Sequence, residues 1–187
     1  MSGYSRRWVL GGTGAALLTG LGACGNPIGG AGPERLDARV DATRDFLRDT
    51  YPGTEELFED AEGILYIPVV TEAGFGFGGA YGRGALRIDD VTVDYYSATR
   101  ASFGLQIGAQ QYAHALFFMT EEALRDFRTS PGWAVGAEMR YATPDRGGAI
   151  RAETTTQMAP VIALVFGQSG LIAGASLAGV KYTRIIP

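Results

Sequence analysis

One cysteine, one histidine and one lysine in 187 residues restrict the chemistry open to this chain. A lone thiol, Cys24, makes no internal disulfide, and a lone imidazole, His114, leaves no Cys/His set for a metal. Basic residues are outnumbered, 16 against 20 acidic, so the chain lacks the positive excess from which nucleic-acid binders draw affinity. No serine occupies a G-x-S-x-G elbow, and the nearest approach, Gly167-Gln168-Ser169-Gly170, reads as a turn. The apolar stretch from Val9 to Ala23 is too short for the roughly 20 residues of a membrane-spanning helix. Its five glycines and two threonines weaken it further.

That stretch has another use. Ser5-Arg6-Arg7 supplies a basic start, an uncharged Gly/Ala/Leu segment follows, and Leu21-Gly22-Ala23-Cys24 ends it with small residues before a cysteine. This order is that of a bacterial lipoprotein signal, cleaved between Ala23 and Cys24 so that a lipidated Cys24 becomes the mature N-terminus. Arg6 and Arg7, with Ser5 before them and Val9-Leu10 beyond, also resemble a twin-arginine export signal. Gly25 after the cysteine, rather than Asp, agrees with outer-membrane sorting in a two-membrane cell. The expectation is an exported, periplasm-facing protein whose first partner is the bilayer that holds its lipid. Without residues 1–23 the charge is 14 − 20, or −6, which disfavours broad attraction to anionic lipid.

Residues 24–33 read as the lipidated cysteine and a Gly/Pro-rich tether, which would keep the domain within about 20 Å of the membrane surface. The remaining 34–187 suffice for one domain with a core. Leu36, Val40, Thr43 and Leu47 fall at helical spacing over 34–50, and aspartates balance the arginines on the other faces, so packing onto the domain is favoured over a membrane-surface helix. Thr54 can cap a second helix that Gly63 ends, with Glu55 and Glu56 in its first turn. Strand-like runs follow at 64–70, 74–81, 85–89, 91–98, 102–110 and 112–119, with Pro68 at an edge or bulge and Asp89-Asp90 as a tight turn. A helix over 121–129, capped by Thr120, interrupts them. Further strands are expected at 133–142, 149–156, 161–166, 171–177 and 180–185. The fold class is α+β, mostly antiparallel β, as a sandwich or a partly closed barrel with an N-terminal helix pair and one inserted helix.

Gly74-Phe75-Gly76-Phe77-Gly78-Gly79 matches G-x-G-x-x-G in letters, but a strand-like sequel replaces the helix that a dinucleotide site requires. Glycines beside Phe75, Phe77 and Tyr81 instead indicate close backbone approach and sheet curvature. The carboxylate pairs Asp89-Asp90, Glu121-Glu122 and Glu55-Glu56 belong to a turn and two helix starts, not to opposite walls of a cleft. His114 reads as a half-buried strand residue with a hydrogen-bond partner.

Three segments carry a resemblance: Ala61-Glu62-Gly63-Ile64-Leu65-Tyr66-Ile67-Pro68, Ala73-Gly74-Phe75 to Tyr81-Gly82-Arg83-Gly84, and Ser102 to Gln110. Phe117-Phe118-Met119-Thr120 and Gly170 to Gly179 extend it, and together they resemble the SYLF-domain family over about residues 35–187. The resemblance implies a lipid- or partner-binding module without catalysis, cofactor or metal. Its bacterial members are small exported lipoproteins, while its eukaryotic members include phosphoinositide- and actin-binding proteins. Ala178, where the eukaryotic members tend to be acidic, and the mixed charge of 34–50 keep those two specificities from being carried over. Candidate contacts to a phospholipid or an envelope protein are Phe75, Phe77, Tyr81, Phe117, Phe118, Leu171 and Ile172, with Arg83, Lys181 and Arg184 at the rim. An unrecognised hydrolase is the minor alternative.

Overall fold

The computed structural model describes residues 31–134, 139–142, 159–170 and 177–187, with the backbone alone at 75–76, 102–107, 139–142 and 168–170. The expected signal and tether over 1–30, the strand at 149–156 and most of that at 171–177 lie outside the described residues.

Helix α1 spans Gly32–Thr50 and begins two residues before its expected start, because Pro33 has the φ a first helical turn needs. Leu36, Val40 and Leu47 are buried beneath it. Its acidic side is docked too. Thr92 Oγ1 and the Tyr95 hydroxyl each donate to Asp37 at 2.9 Å, and Asp41 pairs with Arg87 at 2.9 Å. A 3₁₀ turn, Pro52–Thr54, leads into α2, Glu55–Asp60. Thr54 does not cap α2: its hydroxyl is turned back, donating to the Tyr51 carbonyl at 2.8 Å. Gly63 does not end α2 either. It opens the first strand, where a Cβ would stand 3.1 Å from Leu124 Cδ1.

The six strand-like runs between 64 and 119 merge into two, β1 (Gly63–Ile88) and β2 (Val91–Phe118), paired antiparallel along their length. The expected breaks at 71–73, 82–84, 99–101 and 111 pair without interruption, and the register shifts fall inside the expected runs, one around Pro68, one between Phe75 and Phe77, one between Leu86 and Arg87. Asp89 and Asp90, both left-handed at φ 50° and 62°, join the strands in the two-residue turn that matches strand twist. Helix α3 (Glu121–Thr129) follows, and Thr120 caps it by accepting from the Ala123 amide at 3.2 Å. Strands β3 (Trp133–Ala134), β4 (Met139–Ala142), β5 (Val161–Gly170) and β6 (Lys181–Ile185) complete an α+β half-barrel of order β3-β6-β2-β5-β4, with β1 on β2. All pairs are antiparallel except β4 on β5.

A ribbon this long cannot stay straight in so small a domain. β2 pairs with β5 through one arm, Gln110–Phe118, and with β6 through the other, Tyr95–Thr99, so the ribbon bends between them. The bend lays the two arms of β1 against each other. A Cβ on Gly84 would stand 1.7 Å from the Tyr66 carbonyl oxygen, and one on Gly82 would stand 2.8 Å from that of Val69. Side chains pointing inward form one core, with Leu65, Ile67, Leu86, Leu116, Phe118 and Tyr182 sealed by Phe127 of α3. Those pointing outward from the near arm form a second core with α1, including Tyr66, Ala85, Ala115, Phe117, Ile162 and Leu164. Burial on both faces explains the run of 112–118, apolar but for His114.

Candidate functional site

The far arm of the ribbon keeps an uncovered outer face, and there several of the expected contact residues come together. Tyr81 pairs with Thr99, which pairs with Lys181, and one step along Arg83 pairs with Ser97 and Ser97 with Thr183. Directly paired residues share a face, and neighbouring strands lie about 4.8 Å apart, so Tyr81 and Lys181 stand about 10 Å apart on one surface. Phe77, four residues before Tyr81, joins the same face by the two-residue period. Phe77 is 75% and Tyr81 53% exposed. Arg83 and Lys181 are exposed and have no carboxylate partner among the described residues, and no acidic residue stands in these two rows. Gly132 makes room for the lysine stem, since a Cβ there would meet Lys181 Cε at 2.3 Å. The result is two exposed aromatic rings bordered by two unpaired cations.

Val69 is a separate exposed apolar point. Its carbonyl faces Gly82, beside Tyr81, and its side chain is 46% exposed. It borders a recess of about 330 Å³ walled by Phe46, Pro68, Ala113 and Phe166, where the Phe46 and Phe166 rings stack at 6.2 Å. Val69 and Phe46 were not legible as exposed. The bulge at Pro68 places Ile67 and Val70 both inside and turns Val69 out, which a continuous apolar run does not reveal.

Two expected contacts are corrected. Phe117 and Phe118 are fully buried, Phe117 beneath α2 with its ring 5.2 Å from that of Phe58 and Phe118 inside the half-barrel 4.7 Å from Phe127. Neighbouring residues on a strand covered on both faces have no surface to offer. Phe75 holds its place opposite Ile107 beside the bend. Arg184 is exposed but sits away from Lys181's face, bonded to Asp94 at 3.4 Å and to the Arg128 carbonyl at 3.0 Å. Leu171, Ile172, Arg6, Arg7, Ala23 and Cys24 lie outside the described residues.

Inside the bend runs a polar chain that sequence gave no sign of. Glu72, 2% exposed, is ion-paired to Arg100 and accepts from Gln110 Nε2 at 2.9 Å. Arg100 faces Ala80 across the ribbon, so the pair joins the two sides of the bend like a clasp. Two residues beyond Gln110, the Tyr112 hydroxyl is buried without a partner, and desolvation raises its pKa to about 12. His114 is wholly buried rather than half-buried, its Nε2 2.8 Å from the Tyr182 hydroxyl and its Nδ1 without a partner. Burial lowers its pKa to about 3, so the ring is neutral at physiological pH. Among the described residues no three His, Cys, Asp or Glu side chains converge as a metal site requires.

No curated protein matches the chain. Residues 99–184, which run from the far arm of β2 through α3 to β6, match the family model Ysc84, described as Las17-binding protein actin regulator, and this match is consistent with the SYLF-domain family.

Proposed function

We propose that this protein is an exported lipoprotein, held to the envelope through Cys24, whose SYLF domain binds lipid through an apolar surface and catalyses nothing. The observation that carries the lipid reading is the exposed pair Phe77 and Tyr81 with Arg83 and Lys181 beside them. Burying an aromatic ring in a bilayer is worth about 1.5–3 kcal/mol, against about 1 kcal/mol for a cation at an anionic surface. The rings therefore dominate. SYLF domains bind lipids and actin-related partners in general, which agrees with a binding role. A neutral histidine sealed inside the core is no surface acid or base, which supports the absence of catalysis.

The test uses the compact unit Pro33–Pro187, free of signal and lipid, with neutral and anionic vesicles at low and high salt. Binding to both, surviving salt and falling at least about tenfold in Phe77→Ser/Tyr81→Ser, is expected from the loss of two buried rings. Binding to anionic vesicles alone, abolished by salt, would overturn it. For the anchor, Cys24→Ala should release the chain from the membrane fraction, and retention as complete as wild type would rule lipidation out. An envelope protein-interaction module is the alternative, favoured by the Phe46–Val69–Phe166 recess, and it predicts no binding to either vesicle.

A further inference from the structure

A basic recess and an acidic helix stand at the same end of the half-barrel, and the fold neutralises neither. The recess, about 310 Å³, is walled by Leu124, Arg125, Arg128 and Thr129 of α3 and by Arg184 of β6, with Glu121 also lining it. Asp94 is shared: its Oδ2 takes Arg128 Nε at 3.2 Å and its Oδ1 lies 3.4 Å from Arg184 Nε. Arg125 is exposed and enters no ion pair among the described residues. Three guanidinium groups thus meet two carboxylates, Asp94 and Glu121. By contrast Arg44, Arg87 and Arg100 are each held by carboxylates of the fold.

The acidic surface is α2 and its exit. Glu55, Glu56, Glu59, Asp60 and Glu62 are all exposed, none is ion-paired among the described residues, and no basic residue falls between 55 and 62. Five like charges in one short segment repel one another and favour a cationic partner. The two surfaces are neighbours. The Glu62 amide donates to the Phe118 carbonyl at 2.8 Å, α3 starts three residues after Phe118, and a Cβ on Gly63 would touch Leu124 at 3.1 Å.

Complementary patches side by side on one molecule satisfy the requirement of a two-fold contact, in which patch i meets patch j and j meets i. We propose that two copies of this chain pair through this end, each placing the carboxylates of 55–62 against the other's Arg125, Arg128 and Arg184. Most of a net-acidic surface repels a second copy, and this end carries both signs side by side, so that the two copies can meet reciprocally.

The test is sedimentation of the full chain in non-ionic detergent at about 50 and about 500 mM salt, where screening lengths differ about threefold. A dimer at low salt that is lost at high salt is expected. Arg125→Glu/Arg128→Glu and Glu55→Lys/Glu56→Lys/Glu59→Lys/Glu62→Lys should each be monomeric, and an equimolar mixture of the two should regain the dimer, because both contacts then join opposite net charges again. Restoration by mixing is a result that misfolding of either variant does not produce. A monomer under all conditions, or a dimer indifferent to both charge reversals, would overturn the proposal. So would a monomeric wild type whose binding to phosphatidylglycerol vesicles is lost in the Arg125→Glu/Arg128→Glu variant, since the recess would then serve the membrane.

Discussion

Gly84→Ala should unfold or severely destabilise this domain, although it adds one methyl group. The new Cβ would stand 1.7 Å from the Tyr66 oxygen, and since real Cβ contacts start near 3.0 Å, one arm of β1 must retreat by 3.0 − 1.7, or 1.3 Å. There is no slack to absorb this. Tyr66 is packed in the outer core under α1, and Ile67, whose Cδ1 would be 2.8 Å away, is packed in the inner one. Overpacking alone costs about 1–3 kcal/mol, and separating the arms re-exposes flanking aliphatics at about 1.5–3 kcal/mol each. The expected loss exceeds about 3 kcal/mol, a large share of the roughly 5–15 kcal/mol that holds a domain folded. Gly82→Ala meets the Val69 oxygen and the Ile67 side chain at 2.8 Å, a deficit of 0.2 Å, and should cost about 1–2 kcal/mol. Gly79→Ala, whose nearest neighbour is the Arg100 oxygen at 3.2 Å, should be within about 0.5 kcal/mol of wild type. Urea midpoints by far-ultraviolet circular dichroism rank the three. A Gly84→Ala midpoint equal to that of Gly79→Ala would refute the crossing of the β1 arms.

Glu72→Gln should cost about 1.5–3 kcal/mol by replacing a charge-assisted pair with a neutral one beside the mostly buried Arg100, whereas Glu72→Met/Arg100→Met should recover part of that loss; equal urea midpoints for the single and double variants would count against the clasp. Acid should weaken the fold through His114. Its folded pKa, near 3, lies below the ordinary 6.5, so between these values the unfolded chain takes up a proton that the native chain refuses, and stability falls as pH drops by up to about 1.4 kcal/mol per unit. Unfolding free energies compared between about pH 6.5 and 5 should show this slope in wild type and a flatter one in His114→Gln, and parallel slopes would mean that His114 is accessible to protons in the native state.

The elements that were legible are those whose signals are local. Thr120 caps α3 because its oxygen reaches an amide three residues on, and Asp89-Asp90 turns because a short polar pair tolerates left-handed φ. Leu36, Val40 and Leu47 gave the buried stripe of α1 by spacing alone. What failed depended on distance along the chain. Nothing near Phe117 shows that α2, nearly 60 residues earlier, covers it, and nothing near Glu72 shows that Arg100 waits across a bend. Merging six runs into two strands was hidden because glycine and proline punctuate both a strand end and a bulge. Of the expected contact surface, Phe77, Tyr81, Arg83 and Lys181 converge because a single β-ladder connects them, which sequence suggests only after the pairing is known.

The exposure of that surface follows from the geometry of the cover. At 19 residues and about 1.5 Å per residue, α1 is about 28 Å long, and it is spent on the outer core: its buried positions pack with Tyr66, Ala85, Phe117 and Phe166, and its carboxylates hold Arg87, Thr92 and Tyr95. Beyond the bend no described helix lies over the rows of Tyr81 and Arg83. An uncovered sheet face carrying Phe and Tyr invites association, and natural sheets usually blunt such faces with charge. Here the charges are Arg83 and Lys181, unpaired and of one sign, in a chain that is otherwise acidic. Cations kept free of carboxylates where the acidic residues are absent repel a second copy of the same face while leaving it able to meet phosphate. Under the proposed lipid-binding role, the two aromatic rings and the two cations answer separate requirements, affinity for an apolar layer and solubility in its absence.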